Sequence, residues 1–149
     1  MTGTVDRQVE LTLPMVEDIE LAVIKTAADL ARSLGMGSSQ IDEVSHALIE
    51  ACINAREHAC CDDDRIYLRF LGGLAKDGRP KLEVWITDHG VGFDPATVRR
   101  RDPSAPGGPQ KRGWGLQIIE AHVDDLDIDS GPDGTTIHMV KYGEKRSDD

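Results

Sequence analysis

Between Ala47 and Ala59 the chain reads Ala-Leu-Ile-Glu-Ala-Cys-Ile-Asn-Ala-Arg-Glu-His-Ala, with no proline or glycine. Leu48, Cys52 and Ile53 are apolar, and Ala51, Ala55 and Ala59 are small, so the stretch reads as one helix. On that helix Glu50, Asn54 and His58 recur every four residues and line up along one face. A carboxylate, an amide and an imidazole in a row do not suit a core. They supply the hard oxygen ligands and the proton acceptor that a divalent metal and a water near a phosphate need. A solvated polar stripe is the other reading of the same row, and surface helices commonly carry one. Two glycine-rich stretches downstream bear on the choice.

The rest of the chain sorts by hydrophobic period. Thr4 to Leu13 alternates through Val5, Val9, Leu11 and Leu13, which predicts a first strand at a sheet edge. Pro14 is expected to stop it and to open a helix, with Ile19, Val23, Ala27, Leu30 and Leu34 at helical spacing from Met15 onward. Gly35 and Gly37 end that helix. Ser38 or Ser39 caps the next, with Asp42 and Glu43 in its first turn, and this second helix runs to about Cys61. Asp62, Asp63 and Asp64 are expected to form a turn. Arg65 to Leu74 and Lys81 to Asp88 alternate again and make a hairpin around Lys76-Asp77-Gly78-Arg79-Pro80. Val98 to Arg112 shows no period, holds Pro103, Pro106, Gly107 and Gly108, and reads as a mobile basic loop. A third helix opens at Gly113-Trp114-Gly115-Leu116. Strands are expected at Asp124 to Asp129 and Thr135 to Tyr142, and the polar tail from Gly143 is expected to fray. The order predicts one α+β domain over residues 1–149, ordered over about 4–142. It would be a two-layer sandwich of helices on a mixed, mostly antiparallel sheet.

Composition removes several function classes. Two Phe, two Tyr and two Trp leave no stacking platform for single-stranded nucleic acid, and a net charge of -10 disfavours phosphate backbones. Cys52, Cys60 and Cys61 are odd in number, two of them adjacent, which is neither a disulfide framework nor a zinc spacing. With no apolar leader and no membrane-length run, the expected location is a reducing cytoplasm.

Asp88 closes an apolar strand just before Gly90 and Gly92. A carboxylate there can accept a hydrogen bond from an exocyclic amine, and the glycines let a flat ligand or its phosphates approach backbone N–H groups. By itself an Asp-rich turn after a strand is common. Gly113 and Gly115 before a helix put free N–H groups and a positive helix end beside a possible phosphate, with Lys111 and Arg112 just upstream. A flexible helix start with Trp114 packed into the core is the plainer reading. Neither the P-loop nor the Rossmann glycine pattern is present.

The three boxes in this order resemble the GHKL ATPase superfamily, and within it the small bacterial anti-sigma factor serine kinases. The resemblance runs from about Val5 to Tyr142. Glu50-Ala-Cys-Ile-Asn54-Ala-Arg-Glu-His58 looks like the N box. Asp88-His-Gly90-Val-Gly92-Phe and Gly113-Trp-Gly115-Leu look like the two glycine boxes. Val123-Asp-Asp-Leu and Gly134-Thr135-Thr136-Ile-His-Met-Val-Lys141 look like the closing strands, and the residues between the glycine boxes would be the ATP lid.

The resemblance implies a Bergerat-type ATP-binding fold and ATP with Mg²⁺ as cofactors. Asn54 would ligate the metal and Glu50 would be the general base. Asp88 would hold the adenine amine with support from Thr135, and Gly90 and Gly92 would pass close to the nucleotide. Gly113 and Gly115, with Lys111 or Arg112, would cradle the phosphates, and His58 would be structural. It further implies serine phosphorylation of an anti-anti-sigma protein of the STAS type, retention of a sigma factor, and a homodimer. The alternative is a nucleotide-dependent binding module that switches a partner without turnover. The detached half of a histidine kinase is disfavoured, because no helix with a phosphoacceptor histidine is evident. One departure concerns the partner. Relatives that bind a sigma factor often carry an arginine in the first helix, whereas Met15 to Lys25 is acidic at its start and has Lys25 as its only base.

Overall fold

Every second residue of Pro80–Asp88 is buried and those between are half-buried, so this strand lies inside a sheet with one face covered. The computed structural model describes residues 7–58, 65–90 and 115–144. In chain order the elements are β1 (Arg7–Pro14), α1 (Ile19–Ser33), α2 (Ser38–His58), β2 (Arg65–Leu74), β3 (Pro80–Asp88), α3 (Gly115–His122), β4 (Asp125–Gly131) and β5 (Gly134–Tyr142). The five strands lie in the order β1-β2-β3-β5-β4.

All neighbouring strands are antiparallel. The mixed, mostly antiparallel sheet expected from sequence is therefore fully antiparallel among the described residues. The reason is topological. β4 does run parallel to β3, but β5 folds back between them, so the β3–α3–β4 unit is split and makes no parallel ladder. The helices cover one face: α1 lies against β1 and β2, α2 against β3 and β5, and α3 against β4.

The core is the layer between. Ile66, Leu68 and Phe70 of β2, Leu82, Val84 and Ile86 of β3, and Ile137 and Met139 of β5 meet Val23, Ala27, Val44, Ala47, Leu48, Ala51, Leu116 and Ile119 from the helices. Full burial of a side chain such as Phe70 contributes about 2–3 kcal/mol. At Gly72 a Cβ would come 2.9 Å from Leu34 Cδ1, so the missing side chain lets the end of α1 settle onto β2. Among the described residues no helix is long and apolar enough to cross a membrane.

Element ends depart from the sequence reading where local backbone chemistry intervenes. Pro14 does not open a helix. It is the last residue of β1, opposite Arg65, and an edge strand tolerates the missing donor. α1 starts at Ile19 rather than Met15, because Asp18 sits in the left-handed region at φ 68° and breaks the helical run. Its far end behaves as expected. Gly35, at φ 89°, donates to the Arg32 carbonyl, and the Met36 N–H reaches the Ala31 carbonyl, forming a Schellman cap. α2 begins at Ser38, and the cap is made by the Gln40 side chain, which accepts from the Gly37 N–H at 3.2 Å.

Candidate functional site

α2 carries Glu50 and Asn54 and packs against β3 and β5. Ala47, Ala51 and Ala55 are buried at successive turns, and their small size lets the helix lie close to its neighbours. Beside that stripe, Glu50 is half-buried and Asn54 is 5 % exposed. His58 is the last residue of α2. Helical spacing thus presents Glu50 and Asn54 one turn apart, as expected.

Asp88 ends β3 and is 5 % exposed. Strand register sets it between Ile66 on β2 and Thr135 on β5, and Thr135 is 3 % exposed. Two buried polar side chains face each other at the rim of the core that α2 covers. The Gly90 N–H donates to Asp88 Oδ1 at 2.9 Å, which aims the carboxylate and fixes the turn that follows β3. Thr135 Oγ1 and Ser130 Oγ of β4 share a hydrogen bond of 2.7 Å. A buried carboxyl group with acceptor oxygens, next to an orientable hydroxyl, is suited to the amine edge of a flat heterocycle.

Gly134 locks this arrangement. Its φ is 139°, and a Cβ there would lie 2.1 Å from the Asp88 carbonyl oxygen and 3.0 Å from His89 Cα. The start of β5 therefore lies directly on the backbone of the Asp88–Gly90 turn. His89 is braced in turn by the Tyr67 ring, with centroids 4.7 Å apart.

Gly115 is the first residue of α3, the helix whose start the sequence reading assigned to phosphates. Leu116 and Ile119 anchor α3 in the core. Gly92, Lys111, Arg112 and Gly113 lie outside the described residues, as does the basic stretch from Val98 to Arg112. The structure thus brings Asp88, Gly90 and Thr135 together and puts Glu50 and Asn54 on the adjoining helix.

On the opposite side of α2, Arg56 Nη1 meets Glu20 Oε1 of α1 at 2.7 Å, largely shielded from solvent. This pair flanks Cys52. Burial, and then the Glu20 charge, push the Cys52 thiol up to about 12, with Arg56 acting the other way. Cys52 is a small core residue and not a nucleophile.

Among the described residues, two concavities lie beside polar groups of the sheet. One of about 400 Å³ lies on the uncovered sheet face between Glu10, Thr12, Tyr67, Arg69 and Trp85. The other, about 310 Å³, is lined by Asp88 and Thr135 together with the β4–β5 turn. Neither includes Glu50 or Asn54.

Sequence reasoning missed two contributors. Ser130 falls outside the strands expected at Asp124 to Asp129 and Thr135 to Tyr142, and only the β4–β5 register, which sets it opposite Thr135, gives it a role. Gly134 was part of a motif, but its contact with Asp88 needs β5 to lie beside β3.

Comparison with known proteins adds a lineage. The family described as the histidine kinase-like ATPase domain matches residues 14–141. A protein of Bacillus cereus named serine-protein kinase RsbW is 30% identical over 141 residues, covering 91% of this chain and 84% of that protein. The RsbW of Bacillus thuringiensis subsp. konkukian aligns with the same figures: 30% identity, 91% and 84% coverage. Among solved structures, the RsbU and RsbW domains of a Mycobacterium tuberculosis protein superpose with a TM-score of 0.66 at 22% identity, covering 93% of this chain and 33% of that one. The SiaB–SiaC complex of Pseudomonas aeruginosa gives a TM-score of 0.51 at 13% identity, covering 90% of this chain and 89% of that one. Both share the fold.

Proposed function

This chain belongs to the histidine kinase-like ATPase family, which it matches over residues 14–141, and from that premise we propose that it is an ATP-dependent serine protein kinase acting as an anti-sigma factor in a partner-switching system. Its relatives named serine-protein kinase RsbW align over 91% of it, which supports the kinase reading. The single observation that carries the site is the buried opposition of Asp88 and Thr135 beside the helix of Glu50 and Asn54.

In this reading Asp88 accepts from the adenine amine, with its carboxylate held by the Gly90 N–H. Thr135, oriented by Ser130, supports the same edge of the base. Gly90 and Gly92 let the nucleotide approach the backbone. Gly113 and Gly115 offer amides at the start of α3, and Lys111 and Arg112 add positive charge for the phosphates. Glu50 takes the proton from the attacking serine hydroxyl. Asn54 supplies a hard amide oxygen to Mg²⁺, which fits a cation that draws its other ligands from phosphates and water. When bound, that cation neutralises charge on the transferring phosphoryl group, and the chain's remaining task is positioning.

The substrate in this proposal is a serine on a STAS-type anti-anti-sigma protein, whose phosphorylation frees the kinase to hold a sigma factor. The active form is a homodimer. Incubation with radiolabelled ATP, Mg²⁺ and a STAS protein should yield phosphoserine. Glu50→Gln should lower transfer by at least about 100-fold while ATP affinity stays within about twofold. Partner affinity that follows ADP or ATP with no phosphoserine formed would replace the kinase with a switch module.

A further inference from the structure

Lys141 points a cation into the helix-covered side of the sheet. It shares a face of β5 with Thr135, Ile137 and Met139 and is 8 % exposed. A lysine buried to that degree requires partners. Its Nζ donates to the carbonyl oxygen of His122, the last residue of α3, at 2.9 Å. It also meets Glu43 Oε1 of α2 at 3.0 Å. One amine thus ties β5, α2 and the end of α3. A cation on a terminal carbonyl satisfies an acceptor that has no partner within the helix, and it complements the negative end of the dipole. The His122 ring strengthens the joint. Its Nδ1 lies 2.8 Å from the Ile118 carbonyl, and the ring stacks on His46 of α2 with centroids 5.3 Å apart.

The geometry gives this joint leverage. α3 has eight residues, about 12 Å at 1.5 Å per residue. Leu116 and Ile119, both wholly buried, hold it against the core. They lie within one turn of each other, so they fix its position better than its tilt. Pivoting about those two anchors, a change in tilt of about 15° would move the Gly115 end by about 1 Å. That exceeds what a hydrogen bond to a phosphate tolerates.

We propose that Lys141, acting with Glu43, is a positioning residue that sets the tilt of α3 and so aims the amides at its start toward the nucleotide phosphates, without touching the nucleotide. The inference rests on the reading of the Gly115 end of α3 as the phosphate end. It predicts that damage to the joint is felt by the phosphates and not by the base.

The test measures ATP by calorimetry and adenosine, which has no phosphate, by ligand-observed NMR. The proteins are the full chain and its Lys141→Met, Lys141→Arg and Glu43→Ala variants. Lys141→Met should weaken ATP about tenfold and adenosine less than about twofold, and Lys141→Arg should regain most of the loss. Glu43→Ala removes one of the two anchors at a partly exposed position and should weaken ATP about threefold. It carries the test if Lys141→Met does not fold. Equal losses for both ligands, or ATP affinity unchanged in the folded variants, would overturn the inference. Failure of the unsubstituted protein to bind ATP at all would instead remove the nucleotide reading on which it stands.

Discussion

Thr135 and Thr136 are neighbours on β5 and look to opposite sides of the same sheet. Each forms a hydroxyl–hydroxyl hydrogen bond, Thr135 with Ser130 at 2.7 Å and Thr136 with Thr87 at 3.0 Å. On the covered side Thr135 is 3 % exposed and faces Asp88, with Gly134 wedged on the adjoining turn. On the uncovered side Thr136 is half-exposed and belongs to a broad polar surface. One row of that surface runs Glu10, Arg69, Trp85, His138, Asp127 across all five strands. Arg69 lies 4.9 Å over the Trp85 ring, which stacks on His138 at 4.3 Å. Each such contact at a solvated face is worth about 1 kcal/mol or less. The same residue chemistry therefore does different work on the two faces. Where helices exclude water, each polar group is committed to a partner or a ligand, and its loss is not made good by solvent. Where water reaches, it can be replaced.

The largest effect that separates the faces should come from Gly134→Ala. The new Cβ would meet the Asp88 carbonyl oxygen at 2.1 Å, and backbone cannot step aside as a side chain can. Either β5 parts from β3 at that end or the Asp88 turn moves. Urea unfolding should show a loss of about 3 kcal/mol or more. Gly78→Ala is the control. Gly78 also has a left-handed φ, 89°, but nothing lies within 4 Å of its Cβ position. It should lose about 1 kcal/mol, the cost of the backbone conformation alone. Equal losses would mean that the crowding at Asp88 is not real.

A finer test changes one hydroxyl on each face. Thr135→Val and Thr136→Val keep shape and remove the same atom, one residue apart. ATP affinity is expected to fall about tenfold in the first and to stay within about twofold in the second. Isothermal calorimetry reads both. Similar affinities would erase the distinction between the faces as far as the nucleotide is concerned.

How much of this could be read from residues alone follows the range of the interactions. The row of Glu50 and Asn54 was legible because one helix turn relates them, and α2 needed no tertiary knowledge. The alternation at Arg65 to Leu74 and at Lys81 to Asp88 revealed β2 and β3 for the same reason. Asp88 could be suspected from its glycines. Its pairing with Thr135, 47 positions later, could not, because it requires β5 to insert between β3 and β4. Ser130 and Gly134 stayed hidden behind that same step. At element ends the errors were local. Asp18 in the left-handed region delays α1, and Pro14, compatible with either a helix start or an edge strand, took the strand. Lys141 stood only as the end of a closing-strand motif, because the carbonyl it caps belongs to another element.

The smallest expected effect probes how dry the covered side is. Cys52 lies in that layer, and burial there, followed by the Glu20 charge, raises its thiol from 9.0 to about 12. The sign follows from linkage. Above pH about 9 the unfolded chain gives up this proton while the folded chain keeps it, so the unfolded state binds fewer protons and stability falls as pH rises. The fall continues until the pH reaches the folded value and then stops. One such group costs roughly 1 kcal/mol between pH 8 and pH 10. Urea unfolding of the native protein should therefore weaken more steeply over this range than that of Cys52→Ala. The substitution itself costs about 1–2 kcal/mol at every pH, from the lost packing, and that offset does not affect the slope. Parallel slopes for the two proteins would show that water reaches the thiol, and the contrast between a dry face and a wet one would fail at its centre.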